Sequence, residues 1–138
     1  PLAKVASGGE LSRVMLALKT VLGDKDEVES IIFDEIDTGI SGRTAQKVSE
    51  KMALIGKSRQ VICITHLPQI ASMSDAHFLI EKSVQGQMTT TGIRRLKANE
   101  EVEELARMLG GVEISEKVLE NARDMKQQAI ELKTKNCQ

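Results

Sequence analysis

Apolar residues run unbroken through Ile31-Ile32-Phe33 and again through Val61-Ile62-Cys63-Ile64, and each run stops abruptly at polar residues. The first ends at Asp34-Glu35, the second at Thr65-His66. Short bare runs of this kind read as strands buried on both faces, as in a parallel sheet with helices on either side. In such a sheet ligands bind outside the carboxyl ends of the strands. Asp34, Glu35 and His66 are therefore expected on one common edge.

Around these runs the apolar spacing changes to that of helices. Leu11, Val14, Met15, Leu18, Val21 and Leu22 form one helical face. Ser7 and Glu10 stand three apart at its start, which is the spacing of a reciprocal capping box. Residues 23–26 should end this helix. Ala45, Val48, Met52 and Ile55 mark a second helix that stops near Gly56, giving a strand–helix–strand unit with a right-handed crossover. Pro68 suits the first turn of a short helix over 67–73. Residues 77–81 and 88–96 flank Gln85-Gly86 and read as a hairpin. Asn99 can cap a helix bearing Val102, Leu105, Ala106 and Leu109, ended by Gly110-Gly111. A last helix from about Ser115 carries Val118, Ala122, Met125, Ala129 and Leu132, a short coiled-coil-like seam expected to pack on the body. Residues 1–133 then make one lobe, with 134–138 a frayed tail.

Composition narrows the class. The chain has 138 residues and 41% hydrophobic content, but two Phe and no Trp or Tyr, so its core rests on aliphatic and Met side chains. Nineteen basic residues almost cancel twenty acidic ones, so no overall field points to nucleic acid or a membrane surface. The scarcity of aromatics argues against base stacking on single strands. Cys63, inside a strand, and Cys137, in the tail, make a poor disulfide pair, and a reducing cytoplasm is the simpler expectation. No segment is apolar for the roughly 20 residues of a membrane span. Starting at Pro1, immediately before a dense motif, the chain reads as a fragment or processed product.

Adjacent carboxylates at a strand end suit phosphate-ester hydrolysis. Asp34 can hold a hydrated Mg²⁺, and Glu35, turned the other way, can orient or deprotonate a water. An isolated Asp-Glu pair would more often be a solvated strand end; the loop Asp37-Thr38-Gly39-Ile40-Ser41-Gly42 and His66 on the same edge reverse that preference. His66 could donate to a terminal phosphate, or be a satisfied histidine at a sheet edge. Ser7-Gly8-Gly9 offers backbone N–H groups at a helix N-terminus, a competent anion site, although the Ser7/Glu10 cap alone would explain it. Zinc is disfavoured because Cys63, inside a strand, should point into the core. Gly56-Lys57-Ser58 only imitates a phosphate loop. It closes a helix and precedes a strand, where a true loop follows a strand and opens a helix.

In order and spacing, Ala6-Ser7-Gly8-Gly9-Glu10-Leu11-Ser12-Arg13, Ile31 to Glu35, Asp37 to Gly42 and Ile64-Thr65-His66 resemble the signature motif, Walker B, D-loop and switch histidine of an ABC-type ATPase head. The wording of FDEIDTGISGRTAQ, THLPQIA and ARMLGG is similar to the bacterial RecN family, SMC-like ATPases of double-strand break repair. The resemblance covers Pro1 to about Leu132. It implies an α/β fold, the C-terminal lobe of a P-loop NTPase head of ABC/SMC type, with ATP and Mg²⁺ as cofactors. It implies that Ser7, Gly8 and Gly9 meet the γ-phosphate of ATP held by a second head, with Glu10 in the same cofactor-binding motif, and that Asp34 assists Mg²⁺. Glu35 would polarise the attacking water and His66 would sense the γ-phosphate. Asp37, Gly39 and Ser41 would lie where two heads meet. The implied partners are an N-terminal half carrying the Walker A loop and a coiled coil, a second head in an ATP-dependent homodimer, and DNA, with no membrane involved. The implied setting is the nucleoid of the cytoplasm. Without a Walker A loop this chain by itself should not hydrolyse ATP. The alternatives are another SMC-like chromosome-maintenance head, an ABC transporter subunit (less apt, since Gln usually stands where Glu10 is), or a non-catalytic assembly module. Arg94, Arg95 and Lys97 form a small basic cluster that reads as a solvated strand face rather than a DNA site.

Overall fold

The computed structural model describes residues 6–22, 28–85, 88–111 and 113–135. Its elements follow the order α1 (Gly8–Leu22), β1 (Ser30–Phe33), α2 (Gly42–Ile55), β2 (Gln60–Cys63), α3 (Pro68–Ala71), β3 (Phe78–Gln85), β4 (Met88–Arg95), α4 (Ala98–Gly110) and α5 (Glu116–Lys135). The chain is α/β, with β1 and β2 pairing in parallel and β3 and β4 in an antiparallel hairpin. Ile31 stands opposite Val61 and Phe33 opposite Cys63, so both strands end level and release their polar residues at the same edge.

The core sits on one side of this two-stranded sheet. Ile31 and Phe33 point into it and meet Leu16 of α1, Val48, Met52 and Ile55 of α2, Ile70 of α3 and the wholly buried Ile36. Val48, Met52 and Ile55 fall at helical spacing, which is why the face expected for the second helix is the face observed. α2 closes at Gly56, and residues 56–59 turn back on Met52, Leu54 and Ile55 carbonyls, so Gly56-Lys57-Ser58 is a turn. A second, smaller cluster joins Ala71, Leu105, Ala106 and Ala122, where α5 lies against α4 with Val102 and Val118 beside it. The seam along α5 therefore packs on its own body.

Four expectations need correction. The strands are not buried on both faces: along β1 exposed and buried residues alternate, and Ile32 and Ile62 face outward at 67% and 45% exposure. The apolar stripe of α1 is likewise open, from Leu11 to Val21, the latter 85% exposed, while Leu16, outside that stripe, is the residue that enters the core. Periodicity identified a sheet and a helix correctly, but burial depends on which neighbours are present to cover each face. Lys97, not Asn99, precedes the first turn of α4, and its N–H donates to the Glu100 carboxylate at 2.8 Å. Finally, α5 continues through Thr134 and Lys135, the Thr134 hydroxyl donating to the Ile130 carbonyl at 2.9 Å, so these two residues are helical rather than frayed. The expected helix stop at 23–26, the hairpin turn at Gly86 and the tail cysteine, Cys137, lie outside the described residues.

Phe33→Ala should lower the unfolding free energy of this chain by about 3–5 kcal/mol in urea denaturation, because it empties the centre of the core. Ile32→Ala, on the open face of the same strand, should cost no more than about 0.5 kcal/mol in the same assay.

Candidate functional site

β1 delivers Asp34 and Glu35 to the sheet edge, and the chain then turns sharply. Glu35 adopts φ +56°, a left-handed conformation that a residue with a Cβ takes at a cost of about 1–2 kcal/mol. The Thr38 N–H closes the turn on the Glu35 carbonyl at 3.0 Å. Both carboxylates stay exposed, while Ile36 and Asp37 tuck inward between them and the loop.

The first turns of α1 lie against this turn. The Ser12 hydroxyl donates to the Asp34 carbonyl at 3.0 Å, and Arg13 Nη1 donates to the carbonyls of Ile36 at 3.1 Å and Thr38 at 2.9 Å. The approach is too close for a side chain at Gly9. A Cβ on Gly9 would stand 2.6 Å from the Glu35 carbonyl oxygen, and one on Gly8 would stand 2.6 Å from Glu35 Oε2. Gly9 is required by this backbone contact, whereas at Gly8 the neighbour is the movable end of the exposed Glu35 side chain.

Ser7 is engaged as a cap. Its N–H donates to Glu10 Oε2 at 2.8 Å, its hydroxyl to the same oxygen at 3.1 Å, and the Glu10 N–H returns a bond to Ser7 Oγ at 3.3 Å. The Ser7 amide and hydroxyl, with Arg13 nearby, hold the Glu10 carboxyl below its ordinary range. In this conformation the Ser7 hydroxyl is occupied by the cap.

Asp37 is the junction between the two strand ends. It is 3% exposed, and its Oδ2 accepts from the Thr65 hydroxyl at 2.6 Å and the His66 amide at 2.9 Å, with His66 Nδ1 at 3.0 Å. Burial pushes the carboxyl up, but the Thr65 and His66 hydrogen bonds and the His66 imidazole outweigh it, leaving the group below its ordinary value. The Thr65 hydroxyl in turn accepts from the Leu67 N–H at 3.0 Å, joining the entry of α3 to the same network. With Nδ1–H given to Asp37, Nε2 is the ring nitrogen left for a ligand, and the imidazole is 73% exposed. Asp37 was expected among residues facing a second head; its carboxylate instead turns inward to Thr65 and His66.

Gly39 has φ +75° and Gly42 φ +49°, conformations that favour glycine, and both have open space where a Cβ would stand. Ser41 precedes α2 in extended conformation, exposed, its side chain making no capping bond. Cys63 packs on the core side of β2, and burial, with the charges of Asp37 and Asp34, pushes its thiol up to about 12, which makes it a poor metal ligand or nucleophile at neutral pH. Among the described residues no three His, Cys, Asp or Glu side chains are arranged to hold a metal by themselves. In the basic cluster Arg94 is paired, with Glu100 at 2.7 Å and Glu81 at 3.8 Å.

The structure thus brings Asp34, Glu35, Asp37 and His66 to one edge and sets Gly8 and Gly9 beside Glu35. It adds three residues that carried no separate role in the sequence: Ser12, Arg13 and Thr65. The available signal for two of them was Ser12-Arg13 interrupting the apolar face of α1 one turn after the glycines.

No family model matches the chain. It is, however, 53% identical over 133 residues to the DNA repair protein RecN of Halalkalibacterium halodurans, covering 96% of this chain and 24% of that protein. The RecN of Bacillus subtilis is 49% identical over 133 residues, covering 96% of this chain and 23% of the relative. That of Deinococcus radiodurans is 48% identical over 125 residues, covering 91% and 22%. The chain belongs to the RecN family of DNA repair proteins. It spans about a quarter of the length of these RecN relatives. No helix among the described residues is long and apolar enough to cross a membrane.

Asp37→Ala should destabilise the chain by about 1–3 kcal/mol, since it strands the Thr65 hydroxyl and His66 amide without their acceptor. Because the folded carboxyl lies below the ordinary value of 3.8, its contribution is complete above that pH and is lost as pH falls through the lower folded value. Acid unfolding followed by circular dichroism should therefore be shallower below pH 3.8 in Asp37→Asn than in the wild type.

Proposed function

We propose that this chain is the C-terminal lobe of an ABC/SMC-type ATPase head in a RecN protein acting in DNA double-strand break repair and recombination. The observation that carries the reading is the single edge on which Asp34, Glu35 and His66 meet, linked through the Asp37 carboxylate. In this reading ATP, held by the Walker A loop of an N-terminal half, lies against that edge. Glu35 orients and deprotonates the attacking water. His66 meets the γ-phosphate through Nε2, its ring held in place by the Asp37 carboxylate.

Magnesium fits the edge. Asp34 is an exposed carboxylate at a strand end, and a hard cation taking few protein ligands and several phosphate and water oxygens needs little more. When bound it would neutralise charge on the phosphate oxygens.

The open apolar stripe of α1 and the outer face of β1 and β2 support the same reading. Leu18, Val21, Ile32 and Ile62 are the kind of surface that another part of the head covers. Gly8 and Gly9 at the positive end of α1 suit the γ-phosphate of ATP held by a second head, with Ser7 joining when it leaves its cap. Gly39 and Ser41, exposed at the loop tip, suit the meeting surface. ATP binding would then clamp two heads around broken DNA ends, and hydrolysis would release them.

Glu35→Gln in the intact protein should reduce ATP turnover by at least about 100-fold and accumulate ATP-bound head dimers. Wild-type turnover with no accumulation of dimers would refute the role given to Glu35.

A further inference from the structure

We infer that Arg13 is a positioning residue for Glu35, acting by holding the turn 34–38 through its paired bonds to the Ile36 and Thr38 carbonyls. The inference rests on the ATPase reading above and extends it to a residue that touches neither nucleotide nor water. Its basis is the geometry of α1 against the turn.

Glu35 is the one non-glycine residue with positive φ among those described. Such a conformation persists where the surroundings over-determine it. Here one set of determinants comes from a single helix end, the other being the donors of Thr65 and His66 to Asp37. Arg13 Nη1 spends both of its hydrogens on carbonyls two residues apart, at 3.1 and 2.9 Å, and Ser12 fixes the Asp34 carbonyl at 3.0 Å. Three alternate carbonyls, 34, 36 and 38, thus face α1, and the carbonyl between the first two is taken by Thr38 N–H within the turn. Gly9 lets the helix come close enough for this, since a Cβ there would stand 2.6 Å from the Glu35 carbonyl and 3.1 Å from Arg13 Nη1. Arg13 is half-buried at this contact, so its bond to Ile36 is partly shielded from water while that to Thr38 is exposed.

The consequence is mechanical. The same helix end that suits a phosphate from a second head also sets the backbone from which the water-activating carboxylate projects. A small shift of α1 must move Glu35 with it. Misplacing a catalytic group by about 1 Å is enough to cost about 100-fold in rate.

The test uses the intact protein, with Arg13→Met, which keeps the stem and removes the donors, and Arg13→Lys, which restores a charge and a donor without the fork. Arg13→Met should lower kcat about 100-fold while leaving KM for ATP within about threefold and preserving ATP-dependent head dimers in size-exclusion chromatography. Arg13→Lys should recover part of that loss. Wild-type kcat in Arg13→Met overturns the inference. So does a fall in melting temperature with joint loss of turnover and ATP-dependent dimers in both variants, which would make Arg13 merely structural. If Glu35→Gln also turns over at the wild-type rate, the ATPase reading falls as well; if Glu35→Gln is inactive and Arg13→Met is not, the role of Arg13 alone is refuted.

Discussion

The turn that follows β1 has to do two opposed things within five residues. It must keep Asp34 and Glu35 at the surface and at the same time bury Ile36 and Asp37. Strand alternation alone cannot do this, and the chain resolves the conflict with a left-handed residue at Glu35. That conformation is then held from two sides. α1 takes the carbonyls of residues 34, 36 and 38, and the end of β2 supplies donors to Asp37. Neither set of contacts is local in sequence: they come from residues about 22 to 29 positions away.

The inward Asp37 carboxylate is the most economical of these devices. One oxygen satisfies the Thr65 hydroxyl and the His66 amide and faces the imidazole, so His66 is fixed in backbone and in ring orientation by the loop that follows the acids. A buried carboxylate is tolerated only when its lone pairs are used, and here hydrogen bonds outweigh the desolvation that burial imposes. The result is that the ends of two neighbouring strands cannot move independently at the edge where ligand chemistry is expected.

Apolar surface left open is as informative as the core. The side of the sheet facing α2 is closed by Phe33, Val48 and Met52, whereas Ile32, Ile62 and most of the α1 stripe are uncovered. The chain spans about a quarter of the length of its RecN relatives, and these apolar faces stand open in the part described. The exposed hairpin adds little to the core, but its carboxyl end leads through the buried Leu96 into α4, whose pairing with α5 forms the second cluster.

The sequence by itself determined the elements and their order, because hydrophobic period and turn chemistry are local properties. The capping pair Ser7 and Glu10, the apolar face of α2, the stop at Gly56 and the common edge for Asp34, Glu35 and His66 were all legible in that way. Tertiary structure decided three things that no local pattern encodes. It chose which apolar faces are covered, so that Leu16 is buried while Val21 is bare. It turned Asp37 from a surface residue into an internal acceptor. It gave Ser12, Arg13 and Thr65 their partners. Each depends on the approach of segments distant in sequence, and a spacing of three or four residues carries no information about what lies across the gap.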